Sequence, residues 1–78
     1  MTMKILEITW IDALGADGWE DKEKVKAVGL PSVTTVGYLL SEKKDSITIT
    51  MADDPTNDSC GAYMVIPKIN IKKKRILR

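Results

Sequence analysis

Histidine and phenylalanine are absent from this 78-residue chain, and cysteine occurs once, as Cys60. Without histidine the commonest general base and proton shuttle is missing, and neither a Ser-His nor a Cys-His nucleophile can be assembled. Paired carboxylates would need a deep pocket, which a domain of this size rarely encloses. The chain therefore reads as non-enzymatic. A single cysteine excludes an internal disulfide, and no Cys/His cluster is there to hold a structural metal, so no cofactor or metal is expected. Cys60 has no basic neighbour in sequence and reads as a half-buried residue at the start of a strand. No apolar run approaches the roughly 20 residues that cross a bilayer, and the N-terminus lacks the apolar segment of a secretory signal. The expectation is a cytoplasmic protein with no membrane partner.

What is present is an uneven distribution of charge. The net charge is +1, from 12 Lys and Arg against 11 Asp and Glu. Six of those cations, Lys68, Lys72, Lys73, Lys74, Arg75 and Arg78, lie in the last eleven residues, which hold no acid. The first 67 residues thus stand at −5 and the remainder at +6. A dense basic strip on a small body favours polyanions. A chain this short buries only about 60% of its unfolded surface and needs a supplement to its core, for which self-association is the readiest source. A single domain over residues 1–78 is expected.

Periodicity predicts five strands and one helix. Residues 3–12 (MKILEITWID) are rich in Ile, Thr and Trp and form the first strand, followed by a Gly-containing connection. Residues 19–28 (WEDKEKVKAV) carry acids first and lysines later and stop at Gly29, which predicts a short helix held to the body by Trp19 and Leu30. Residues 33–42 and 45–52 form a hairpin turning at Glu42 to Asp45, in which Ile47, Ile49 and Met51 face one way and Thr48 and Thr50 the other. Gly37 marks a bend or a close backbone approach in the first of these strands. Residues 53–59 are a polar loop, residues 61–66 a fourth strand ended by Pro67, and residues 71–77 a fifth after a brief turn. The resulting fold class is mainly β: a small five-stranded antiparallel barrel with one short helix between strands 1 and 2. A ferredoxin-like sandwich would need a second helix.

Several side chains admit two readings. Asp53, Asp54 and Asp58 are oxygen ligands of the kind Mg²⁺ or Ca²⁺ takes, yet they lack calcium-loop spacing and surround Pro55, so turn capping is the expected role. Trp10, Trp19 and Tyr63 are assigned to the core, because a chain with four aromatics needs them there. Tyr38 is the candidate for an exposed ring that stacks on a base. The run Lys72-Lys73-Lys74-Arg75 either tracks phosphates or keeps a sheet edge from aggregating. Strand alternation sends Lys73 and Arg75 to the side of Ile71 and Leu77, toward the core margin or an interface. Glu20, Asp21 and Glu23 of a neighbouring subunit are further partners for these cations.

Trp10-Ile11-Asp12-Ala13, Gly18-Trp19, Val36-Gly37-Tyr38-Leu39-Leu40 with Glu42, and Ile66-Pro67-Lys68 with Ile71 together resemble a family of small phage and prophage proteins. That family has a W-x-D-A start, a G-W pair, an S-V-G-x-L-L-x-E hairpin and a closing I-P-K-x-x-I. Here the serine is displaced, with Thr34-Thr35 before Val36. The resemblance covers nearly the whole chain and implies a viral origin rather than a reaction. The order of elements also looks like the Sm-like variant of the SH3-like barrel, with Asp53, Asp54 and Asn57 near where such proteins hold bases. Its RNA-contacting loop motifs have no match here.

The function expected from these features is that of a non-enzymatic, phage-encoded accessory protein: an Sm-like homo-oligomer, a closed ring or another compact symmetric assembly. It would bind RNA, single-stranded DNA or a nucleotide-like anion through Lys68, Lys72, Lys73, Lys74, Arg75 and Arg78. The alternative is a structural or interaction protein, an assembly factor or host-protein inhibitor, in which the lysines only solubilise an edge.

Overall fold

The computed structural model describes residues 3–78. Five antiparallel strands, β1 (Ile5–Ile11), β2 (Ser32–Glu42), β3 (Ser46–Asp54), β4 (Ser59–Pro67) and β5 (Ile71–Ile76), form one sheet in the order β4-β3-β2-β1-β5. A short helix, α1 (Lys22–Lys26), lies between β1 and β2, and one 3-10 turn (Lys68–Asn70) joins β4 to β5. No ladder joins β4 to β5, so the sheet is not closed.

The alternation in β1 builds the core. Leu6, Ile8 and Trp10 are buried while their neighbours are half-exposed, and they pack with Ile47, Ile49 and Ile66. Val33, Leu39 and Ile71 cover the margin. Each such side chain contributes about 1.5–3 kcal/mol of transfer free energy. The indole of Trp10 donates from Nε1 to the Thr35 hydroxyl at 3.0 Å, so the ring's polar end is satisfied inside the sheet. Gly37 is buried, and a Cβ there would sit 2.9 Å from the Thr50 carbonyl oxygen. The close approach expected at this glycine is therefore real.

Two one-residue irregularities reset the alternation. Between Leu39 and Ser41 of β2 the pairing with β3 shifts, which brings Glu42 opposite the buried Ile47. Between Thr9 and Trp10 the pairing of β1 with β5 shifts, leaving Lys72 unpaired between Ile71 and Lys73. Directly opposed residues share a face. Lys74 opposite Ile8 and Ile76 opposite Leu6 are thus on the inner side, and Lys73 and Arg75, opposite Thr9 and Glu7, are on the outer side. The expected placement of Lys73 and Arg75 with Ile71 is overturned, because a bulge moves the set to the other face.

Three further expectations fail for a common reason, the small reach of the core. The helix spans five residues rather than ten, none buried, because Val25 is its only apolar side chain and offers no stripe to pack. Trp19 and Leu30 do not clamp it, since Trp19 is fully exposed and Leu30 is 68% exposed. The far half of the β3–β4 hairpin runs beyond the body, leaving Met51, Tyr63 and Cys60 exposed rather than in or near the core. The chain measures 52 × 24 × 21 Å with a radius of gyration of 15.9 Å. A compact chain of this length would have about 11–12 Å.

Candidate interaction surface

Pro67 fixes the end of β4, and the 3-10 turn carries the chain across to β5 in three residues. Asn70 secures that crossing by donating from Nδ2 to the Ile11 carbonyl at 2.9 Å, and the Lys68 amide donates to the Asp45 carbonyl. β5 is consequently a sheet edge, and all of its cations are exposed or partly so.

The six basic residues proposed from sequence divide into three groups. Lys68 and Lys74 converge on Glu42, at 2.9 and 4.0 Å, around a small recess of about 240 Å³ floored by Ile47 and Ile71. The hydrogen bond and charge of Lys68, aided by Lys74, hold the Glu42 carboxyl below its ordinary value. Arg75 pairs across the strands with Glu7 at 3.2 Å on the outer face. Lys72, Lys73 and Arg78 make no ion pair among the described residues. The strip is therefore not a uniform track: half of its charge already has a partner in the same molecule.

Tyr38 is half-buried, in a row with Ile5, Thr50 and Tyr63 across four strands on the outer face. Its neighbour Tyr63 is the more exposed ring, at 68%. Between them Thr50 is buried, its hydroxyl shared by the carbonyls of Ala52 and Gly61 at 3.0 and 2.8 Å.

At the tip of the β3–β4 hairpin, Asp54 accepts from the amides of Thr56 and Asn57 and from the Asn57 side chain. Those bonds, the Asn57 side chain first, hold its carboxyl below the ordinary value. For Asp54 this is the turn capping expected of the acidic loop, but the loop is shorter than the expected residues 53–59, since Asp53 and Asp54 belong to β3 and Ser59 to β4. Among the described residues no three His, Cys, Asp or Glu side chains come together as metal ligands. No helix among them is long and apolar enough to cross a membrane.

The second surface was not singled out from the sequence. The segment between Ile11 and Ser32 closes at its base through the Asp12 amide and the Pro31 carbonyl, and otherwise stands clear of the sheet. It bears a groove of about 590 Å³ lined by Leu14, Trp19, Val25, Val28 and Leu30, with Glu20 and Lys24 beside them. Each of those five apolar side chains is more than half exposed. The only signal in the sequence was negative: these residues show no period that would bury them together on one face.

Compared with known proteins, the chain matches no family model, no curated protein and no solved structure.

Proposed function

We propose that this protein is a non-enzymatic interaction module that works as a homo-oligomer. The observation that carries the reading is the amount of unsatisfied surface. The fully exposed Trp19 stands among exposed apolar side chains, and two sheet edges are unpaired among the described residues. Monomeric proteins seldom leave contiguous apolar surface uncovered, and open edges invite pairing. The small barrel is part of the proposal. The edge strands β4 and β5 are joined by only the three residues Lys68–Asn70, and closing the gap between those strands would complete an SH3-like or Sm-like layout. The resemblance to phage and prophage proteins supplies the setting, a viral accessory protein acting in the cytoplasm of a host. Light scattering at micromolar concentration tests the reading: a mass that is a multiple of 8.7 kDa is expected, and a monomer at all concentrations rejects it.

A second reading, polyanion binding through β5, is favoured by Lys72, Lys73 and Arg78, which have no internal partner among the described residues. RNA, single-stranded DNA and cyclic or linear oligonucleotides should then bind at low salt. Replacing Lys72 and Lys73 by Ala should flatten the salt slope by at most about two units. Failure of every oligonucleotide at low salt rejects this reading and leaves the first intact.

A further inference from the structure

We infer that the apolar groove between β1 and β2 is a docking site for the C-terminal strand of a second copy of this chain, in a head-to-tail contact. The inference rests on the self-association reading and names its two faces.

Charge complementarity identifies the occupant. Residues 12–21 carry Asp12, Asp17, Glu20 and Asp21 and no cation, whereas residues 71–78 carry five cations and no acid. None of those four acids makes an ion pair among the described residues, and neither do Lys72, Lys73 and Arg78. Each face thus holds charge that its own molecule leaves unanswered. The apolar parts match as well: Ile76 and Leu77 lie exposed among the cations, as Trp19 and Leu30 do beside the acids. An apolar centre with complementary charge around it is the usual anatomy of a specific interface.

Geometry sends the contact to a neighbour. The groove-bearing segment leaves the sheet after Ile11, at one end of β1. The strand end that would fill it lies at the other, where Ile76 pairs with Leu6 and the Ile5 amide donates to the Arg78 carbonyl. The seven residues of β1 separate them by roughly 20 Å. Because the two faces differ, the contact is heterologous, and repetition yields a ring or an open chain of subunits. A nucleic acid on β5 would satisfy the cations and leave the apolar groove bare.

Charge exchange tests the inference. One variant combines Asp17→Lys with Glu20→Lys and the other Lys73→Glu with Arg78→Glu; none of these side chains joins an ion pair or the core. Each variant alone should self-associate at least about tenfold more weakly than the native chain, since like charges then face each other. An equimolar mixture should recover hetero-association. Trp19→Ala provides a second probe that leaves the sheet intact, and it too should weaken association. Circular dichroism reports whether each variant is folded. A native chain that stays monomeric removes the self-association reading itself. A native oligomer unaffected by Trp19→Ala and by both exchanges keeps that reading and overturns this interface. Loss of oligonucleotide binding in the second variant, with association unchanged, assigns β5 to polyanions and likewise overturns it.

Discussion

The sheet and the segment between β1 and β2 both carry large apolar side chains, and these have opposite fates. In β1 every second residue is apolar, so a single extended conformation puts Leu6, Ile8 and Trp10 on one face against Ile47, Ile49 and Ile66. In the segment after Ile11 the apolar residues fall at 14, 19, 25, 28 and 30, which no strand or helix gathers on one face. The first arrangement makes a core within one chain. The second leaves a surface that its own chain does not bury. Composition is thus a poor guide to burial, and period decides it.

The contrast can be broken most forcefully in the sheet. Ile8 is completely buried, and Ile8→Ala should cost about 2–5 kcal/mol in denaturant unfolding, enough to unfold much of so small a protein. Gly37→Ala comes next. Its Cβ would meet a backbone oxygen rather than a flexible side chain, so a loss of about 1–3 kcal/mol is expected by the same measurement. Ala62 sits in β4 with a φ of 54°, in the left-handed region that disfavours a Cβ. Ala62→Gly should therefore stabilise the monomer by roughly 0.5–1 kcal/mol in thermal unfolding, unusual for a glycine placed in a strand. On the other side of the comparison, Trp19→Ala should change monomer stability by no more than about 0.5 kcal/mol, although it removes the chain's largest type of side chain.

Most strands were legible because alternation is a two-residue signal that survives in a single sequence. The hairpin turn at Glu42 to Asp45, the stop at Pro67 and the close approach at Gly37 all follow from local chemistry. The bulges were not legible, since the extra residues Leu40 and Lys72 look like any others in a strand and reveal themselves only by the register of the partner. That is why the inward placement of Lys74 and Glu42, and with it the Lys68–Glu42–Lys74 cluster, was missed. The exposure of Trp19 and Tyr63 was misjudged for a different reason. Large aromatics are good core material, but whether the core extends to them depends on how far the hairpin and the β1–β2 segment project beyond it.

The Glu42 cluster gives a smaller, pH-dependent test. The carboxyl is held below its ordinary value of 4.5 in the folded state, so its contribution is present above that value and is lost as the pH falls through the lower folded one. The native chain should accordingly exceed Glu42→Gln in stability at neutral pH, and the gap should close on acidification below about 4.5 when thermal unfolding is followed across pH.

Amide hydrogen exchange, followed as a function of protein concentration, tests most directly whether the β1–β2 segment is a surface built for a partner. In dilute solution the amides paired in the ladders around Ile8 and Ile47 should exchange slowly, and those of residues 13–30 fast. Raising the concentration should slow exchange in residues 13–30 and along β5, with little change at the sheet centre. Exchange that stays fast in residues 13–30 at every concentration, or is already slow there in the dilute monomer, would contradict the account.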